Sequence, residues 1–300
     1  MSRPPVLLLA LLCLAVMLAG CKAAPRTLSE SSEQRLDADA YWVSHSAARL
    51  PASDQPRSIA LAEVVVEFVT SKNQAGGRQQ AAFIPPHPIF LAASAAGVGR
   101  KNVEFPEDAS RRIADHIADA LVTVLRDHGL APIANDLVVD ADAYAALQPL
   151  AEGEPRDVRE INLAATDTGR VREMRQLPAL GTRIVTATNH DADTADAALL
   201  TELGVDAVLR ATIRVGVYLE RASLEEGSRI TLTTPAGVTH LAARRSLLSD
   251  DPVLDESSDS TNLKIDPQAY LDAIDATAPA FLRMALDALS PPPARAPARP

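Results

Sequence analysis

One stretch of the chain alternates so strictly between apolar and polar side chains that it predicts a β-strand. In "DAVLRATIRVGVYLE", which covers 206–220, every odd-numbered residue from Ala207 to Leu219 is apolar, and most even-numbered residues are charged or polar. Because successive side chains of a strand point to opposite faces, one face should lie in the core and the other against water or a partner. The core must be built from Ala, Val, Leu and Ile, because only 3% of the 300 residues are aromatic.

A second strand is predicted over 58–70, where "SIALAEVVVEFVT" is rich in β-branched residues. Glu63 and Glu67 share one face of it, and Arg210 and Arg214 share one face of the alternating strand. Both pairs are four residues apart. We therefore predict that the two strands are neighbours and that the four charges form a ladder on a polar face. The opposite face of the second strand is expected to carry five apolar residues: Ala60, Ala62, Val64, Val66 and Phe68.

Three main helices are predicted around these strands. The first covers 106–128, and the last covers 266–289 near the C-terminus. Another covers 194–203, with Thr194 as its N-cap and Gly204 ending it. The order of elements predicts an α/β fold, with α+β as the alternative. We expect a mixed sheet of about five strands, helices mainly on one face, and a C-terminal helix.

The domain limits follow from where these patterns begin and end. Residues 58–289 are expected to form a single α/β domain, with irregular excursions at 71–105, which is rich in proline, and at 150–180, which is charged and unpatterned. Residues 290–300, "SPPPARAPARP" from Ser290 on, are expected to be a disordered tail.

The N-terminus carries 13 uncharged apolar residues, from Val6 to Leu18. This run is too short to span a bilayer as a helix, which needs roughly 20 apolar residues, and it fits the apolar region of a secretory signal. Residues 1–20 are therefore predicted to be a signal peptide. Residues 21–57 are predicted to be a tether, held onto the domain by packing of Tyr41 and Trp42.

Leu18-Ala19-Gly20-Cys21 follows this run directly and resembles the lipobox of bacterial lipoproteins. The resemblance implies cleavage after Gly20 and a lipid on Cys21, which would anchor the chain to a membrane through more than one acyl chain. Lys22 in place of Asp implies the outer membrane, on its periplasmic side, in preference to the inner membrane. The alternatives are an ordinary secretory signal and a helix that stays in the membrane.

The sequence contains no recognisable catalytic motif. Asp167-Thr168-Gly169 occurs once, whereas aspartic proteases use such a motif twice, and a loop turn is the preferred interpretation. "NHDADTAD", residues 189–196, could bind a cation but is better explained as an acidic helix start. We expect no metal site and no cofactor other than the lipid. A net charge of −10 also argues against nucleic acid as a partner.

"ELGVDAVLRATIRV", residues 202–215, followed by a hairpin turn "TPAG", resembles one broad group of envelope lipoproteins. The group includes the curli-secretion lipoprotein, the lipoprotein activators of penicillin-binding proteins and a neisserial lipoprotein family. The resemblance covers roughly 58–134 and 195–248, and the excursions at 71–105 and 150–180 depart from it. It implies no catalytic residues.

These observations predict a non-catalytic accessory or adaptor lipoprotein in cell-envelope assembly, transport or secretion, with an envelope protein as partner and an oligomer as a further option. Two alternatives stay open: a periplasmic hydrolase whose site is assembled from distant segments, and a protein that binds lipid or another small ligand. The candidate partner-binding residues lie on the polar face of the alternating strand and in the proline-rich loop: Arg210, Arg214, Tyr218, Phe83, Ile84, Ile89 and Phe90.

Overall fold

The computed structural model describes residues 26–28, 41–44, 57–73, 100–162 and 170–289, which form one curled mixed sheet of thirteen strands together with five helices. The strands are β1 (Arg26–Thr27), β2 (Trp42–Ser44), β3 (Arg57–Asn73), β4 (Arg100–Glu104), β5 (Leu130–Pro132), β6 (Arg156–Asn162), β7 (Arg170–Pro178), β8 (Ala207–Tyr218), β9 (Arg221–Leu224), β10 (Arg229–Thr234), β11 (Gly237–Ala243), β12 (Leu247–Pro252) and β13 (Asn262–Lys264). The helices are α1 (Glu107–Asp127), α2 (Asn135–Val139), α3 (Asp142–Ala145), α4 (Asn189–Leu203) and α5 (Pro267–Leu289).

The parallel pair β3–β8 is the spine of the sheet. β3 is 17 residues long and also pairs with β4, β5 and β7, while β8 also pairs with β9 and β10. In the β3–β8 register Glu63 lies opposite Arg210, and Glu67 lies opposite Arg214. The prediction that the two strands are neighbours and that their charges align is therefore confirmed.

A β-bulge in β3 changes which of its apolar residues share a face. The register shifts between Leu61 and Glu63, so the alternation is offset by one residue there. Val64, Val66 and Phe68 lie in the larger core, as predicted, but Ala60 and Ala62 lie in a second core on the opposite face. The prediction that all five residues share one face was wrong for these two alanines.

Both faces of the sheet are covered. The long helices α1 and α5 pack on one face, with Ile113, Leu121 and Phe281 fully buried between them and the strands. The shorter helices α2, α3 and α4 cover the small residues Ala60 and Ala62 on the other face. The α/β class and the C-terminal helix were predicted correctly, but the helices are divided between two faces.

The strand count exceeds the expected five, and the clearest reason is the β6–β7 hairpin. Residues 150–180 were expected to be irregular, yet β6 and β7 pair antiparallel from Arg156 opposite Gln176 to Asn162 opposite Arg170. Charged residues occupy both faces of β6, so it has no apolar alternation, which is common for strands at a sheet edge. In the other excursion β3 continues to Asn73 and β4 begins at Arg100; residues 74–99, with Phe83, Ile84, Ile89 and Phe90, lie outside the described residues.

Part of the segment predicted to be a tether is built into the sheet. β1 pairs parallel with β12, and β2 pairs antiparallel with β11. Trp42 is 1% exposed, packs against Phe281 with ring centroids 5.0 Å apart, and donates its indole N–H to the Phe281 carbonyl at 3.1 Å. The predicted packing of Tyr41 and Trp42 onto the domain is confirmed. Residues 1–20, Cys21 and 290–300 lie outside the described residues.

Of the two ends of α4, the local sequence predicts one correctly and the other not. α4 ends at Gly204 in the left-handed conformation, as predicted, with φ of 62°. Its N-cap is Thr188, whose hydroxyl accepts a hydrogen bond from the Asp191 backbone N–H, and Thr194 lies inside the helix. Among the helices of the described residues, none combines the length and the apolar character needed to cross a membrane.

Trp42→Ala is expected to destabilise the folded protein by about 3–5 kcal/mol, since it removes a fully buried aromatic side chain. Urea unfolding of the native chain and of Trp42→Ala measures this difference in stability. Leu137→Ala is the control, because Leu137 is 56% exposed and its loss should change stability by less than about 0.5 kcal/mol. Equal stability of the two variants would show that the segment around Trp42 is dispensable for the fold.

Candidate functional site

Polar residues on four neighbouring strands line up in a single row across the sheet face under α4. Glu63 on β3 lies opposite Arg210 on β8, Arg210 lies opposite Thr231 on β10, and Thr231 lies opposite His240 on β11. We call Glu63, Arg210, Thr231 and His240 the charged row. Antiparallel and parallel pairing both keep opposing side chains on the same face, so the row is a direct consequence of the register.

Two carboxylates of α4 neutralise the arginine of this row. The Arg210 Nε donates to Asp196 Oδ2 at 2.8 Å, and its Nη2 donates to Asp193 Oδ1 at 3.2 Å. The Asp196 side chain is 1% exposed, whereas that of Asp193 is 26% exposed. Burial raises the pKa of Asp196 although Arg210 opposes this, so the ion pair does not fully offset the loss of hydration.

Glu63 is the half-buried end of the charged row. Its Oε1 accepts a hydrogen bond from the Val185 backbone N–H at 2.8 Å. Burial raises the pKa of Glu63 from its ordinary 4.5 to about 7, against the opposing effects of the Val185 N–H and the Arg210 charge. The predicted ladder therefore has the right alignment, but Arg210 bonds to α4 and leaves Glu63 close to half-protonated at neutral pH.

The other end of the row reaches solvent at His240, whose side chain is 45% exposed. Its Nδ1 is 3.1 Å from the Thr231 hydroxyl, and its Nε2 is 3.5 Å from Asp193 Oδ2. A hydroxyl, an imidazole and a carboxylate in this order can activate the hydroxyl as a nucleophile. Among the described residues, no group of three or more His, Cys, Asp and Glu side chains is arranged to hold a metal ion.

Glu67 and Arg214 form a second, fully interior pair. Arg214 Nε donates to Glu67 Oε2 at 2.9 Å, and its Nη1 donates to Glu160 Oε2 on β6 at 3.0 Å. Gln176 donates to the second oxygen of Glu67 at 2.6 Å. Burial alone would lower the pKa of Arg214, but Glu67 and Glu160 outweigh it, and the net shift is upward.

The Arg214 guanidinium also requires a glycine beside it. A Cβ on Gly227 would lie 2.5 Å from Arg214 Nη1, and Gly227 has φ of 93°. Both facts restrict this position to glycine. Arg210 and Arg214 were candidates for contact with a partner; the structure places both in interior ion pairs, with side chains 12% and 6% exposed. Partner contact by either arginine stays an untested prediction.

Tyr218, the third candidate on this strand, lies at the surface. It is 40% exposed, and the adjacent Leu219 is 73% exposed, at the two-residue turn between β8 and β9. Leu219 and Glu220 have φ of 50° and 65°, in the left-handed region that non-glycine residues rarely adopt. Such a turn usually contains Asn and Gly, so this one retains an apolar tip at a cost of about 1 kcal/mol or more per residue.

Sequence reasoning missed the His240 end of the charged row, although a signal was present. The "TPAG" turn pairs Thr234 with Gly237, and counting three residues outward pairs Thr231 with His240. In the acidic segment 189–196, Asp193 and Asp196 accept hydrogen bonds from Arg210 of the charged row, while the Asp191 backbone N–H donates to the N-cap Thr188 of α4. Asp167, Thr168 and Gly169 lie outside the described residues.

Comparisons with protein-family models, with curated proteins and with solved structures find no match to this chain. The resemblance to envelope lipoproteins stays a prediction that these comparisons do not test.

Glu63→Gln is expected to flatten the dependence of stability on pH. The raised pKa of Glu63 means that the folded protein holds a proton that the unfolded chain releases between about pH 4.5 and 7. This contribution to stability is fully present below pH 4.5 and is lost as the pH rises through 7, by up to about 3 kcal/mol. Glutamine has nearly the same shape and does not titrate. The stability of the variant relative to that of the native chain should therefore increase as the pH rises.

Urea unfolding at pH 4.5, 6 and 8 measures this difference. Glu104→Gln, at an exposed position on β4, is the matched control and should have the same stability as the native chain at all three pH values. A constant stability difference between Glu63→Gln and the native chain across this range would contradict the assignment.

Proposed function

We propose that this protein is a lipid-anchored accessory protein of the bacterial cell envelope, whose folded domain binds an envelope protein. The observation that carries the proposal is Leu18-Ala19-Gly20-Cys21 placed directly behind the apolar run. A lipid on Cys21, with more than one acyl chain, would hold the chain stably at a membrane. Lys22 favours the periplasmic side of the outer membrane over the inner membrane.

The described N-terminal strand supports a domain held close to that membrane. β1 begins at Arg26, five residues after Cys21, and is already paired with Leu247 of β12. Five residues span at most about 17 Å when fully extended. A lipid on Cys21 would therefore keep this edge of the sheet near the bilayer surface.

The exposed turn with Tyr218 and Leu219 supports a partner in the periplasm. β1 runs parallel to β12, and the far end of β12, at Pro252, pairs with Arg221 next to the turn. The turn thus lies toward the end of these strands that is opposite the anchored end. Leu137, Tyr218 and Leu219 are the exposed large apolar side chains of the described residues, and only the last two are adjacent. Exposed aromatic groups of this kind are common anchors of protein interfaces.

The hydrolase alternative is supported by one contact, that of the Thr231 hydroxyl with His240, which in turn faces Asp193. An active hydroxyl there would attack the phosphorus of a fluorophosphonate and displace fluoride while its proton passes to His240, so the reaction would depend on His240. The expected outcome for an accessory protein is that His240→Ala leaves partner binding unchanged.

Cys21→Ala is expected to abolish lipidation. Cells that produce the native chain should incorporate labelled palmitate into it and retain it in the membrane fraction, whereas the variant should carry no label and leave that fraction. Lys22→Asp tests the choice of membrane in the same cells, and it should move the chain to the inner membrane. A native chain that takes up no label, or a Cys21→Ala chain that still takes it up, would contradict the anchor.

Tyr218→Ala is expected to lower the crosslinking of the full-length chain to its envelope partner by at least fivefold in living cells, without loss of stability. Leu137→Ala removes a matched exposed apolar side chain on α2 and should leave the crosslinks unchanged. Equal crosslinking in the two variants would contradict the turn as the contact. Absence of crosslinks together with phosphonate labelling of Thr231, lost in His240→Ala, would favour the hydrolase instead.

A further inference from the structure

Strand β6 forms a border of the sheet. Within the part of the chain that the structure describes, it pairs with β7 on one side only. Arg156, Asp157 and Arg159 are exposed on it, and Val158 is half-buried. Such an edge presents backbone N–H and C=O groups that can accept another strand.

The order of charges along β6 is complementary to itself. The strand reads Arg156-Asp157-Val158-Arg159-Glu160, which is positive, negative, apolar, positive, negative. When two copies run antiparallel with Val158 opposite Val158, each Arg156 faces a Glu160 and each Asp157 faces an Arg159. All four charged residues of each copy then lie opposite a residue of opposite sign, which stabilises a cross-strand pair.

Several other self-pairings of this segment bring like charges together, and the rest oppose fewer pairs of opposite charge. An antiparallel register centred on Asp157 or Arg159 places that residue opposite itself, and an in-register parallel pairing does so for every residue. A register centred between Val158 and Arg159 places Asp157 opposite Glu160. Like charges directly opposite each other are destabilising, and the register centred on Val158 places all four charged residues opposite residues of opposite sign, so the charges favour it.

The neighbouring strand continues the same pattern within each chain. Asp157 lies opposite Arg175 on β7, and Arg159 lies opposite Glu173. In the paired copies, a row of opposing residues would run across four strands. It would start with Arg175 on β7 and Asp157 on β6 of one copy, continue with Arg159 on β6 and Glu173 on β7 of the other, and alternate in sign throughout. Arg156 lies opposite the neutral Gln176 in its own chain, so its charge is available to the second copy.

The face orientation of Glu160 is compatible with this arrangement. Glu160 bonds to Arg214 through Oε2, yet its side chain stays 40% exposed. When the two copies pair about Val158, the sheet face that carries Arg214 in one copy is continuous with the same face of the other. Glu160 can therefore accept from Arg214 of its own chain and from Arg156 of the second copy.

We propose that β6 is a self-association edge, at which two copies of this chain pair antiparallel about Val158 and form a continuous two-fold symmetric sheet. Charged edges normally prevent pairing with foreign strands. Here the charges oppose most strands but fit a second copy of this one, which is how charge patterns produce specificity.

Cysteine crosslinking in living cells tests the register. Opposing residues of antiparallel strands have Cα atoms about 4.5–5.5 Å apart, which suits a disulfide. The full-length Val158→Cys chain, treated with a mild oxidant, should give at least tenfold more disulfide-linked dimer than Ala198→Cys, a control at an exposed position on α4. The native chain controls for any contribution of Cys21. A yield no higher than in these controls would overturn the proposal.

Charge reversal tests the cause of the pairing. Arg156→Glu in the Val158→Cys chain would place Glu opposite Glu160 twice per dimer and should lower the dimer yield at least fivefold. Arg126→Glu, a reversal at an exposed position on α1, should leave it unchanged. Equal yields would overturn the charge argument.

Sedimentation of the detergent-solubilised full-length chain without any new cysteine provides the second measurement, so that misfolding of Val158→Cys cannot decide the outcome. At the highest protein concentrations the native chain should sediment as a dimer and Arg156→Glu as a monomer. A native chain that remains monomeric at all concentrations would overturn the proposal.

Discussion

The buried ion pair between Glu67 and Arg214 is the constraint on which the rest of the structure depends. Both side chains are almost fully buried, and each is a costly group to leave without its partner, since breaking a buried pair costs about 3–5 kcal/mol. A slip of β3 against β8 by a single residue would turn one of these charges toward the opposite, apolar face. The pair therefore selects one register for the two central strands, and β4, β5, β7, β9 and β10 all attach to that register.

The same interaction explains why the centre of the fold could be predicted and its border could not. Two pairs of opposite charges with equal spacing are visible in the sequence, and so is the alternation of β8. The bulge between Leu61 and Glu63 has no such signal, because an extra residue in an apolar run leaves its composition unchanged. β6 was missed because charges on both of its faces remove the alternation that identifies a strand, although that arrangement is favourable at an edge.

The candidate site was predictable in the parts that depend on local rules. The register of β10 against β11 follows from the "TPAG" turn, so His240 opposite Thr231 was within reach of the sequence. The contact of Arg210 with Asp196 and Asp193 depends on how α4 lies over the sheet, which no local pattern specifies. Burial raises the pKa of Glu63 to about 7 because it outweighs the charge of Arg210, whose hydrogen bonds go to the carboxylates of α4.

Interior and surface charges have different roles in this chain. Arg210 and Arg214 interact with carboxylates of their own chain, so their positive charge stabilises the register. The β6 edge keeps its charges at the surface, where a pairing of five residues is weak for molecules free in solution. The proposed anchor would change this balance, because chains confined to one membrane surface meet at a much higher effective concentration than they would in solution. A lipid on Cys21 and a short self-complementary edge would thus reinforce each other: the anchor would supply the concentration, and the order of charges on β6 would supply the specificity.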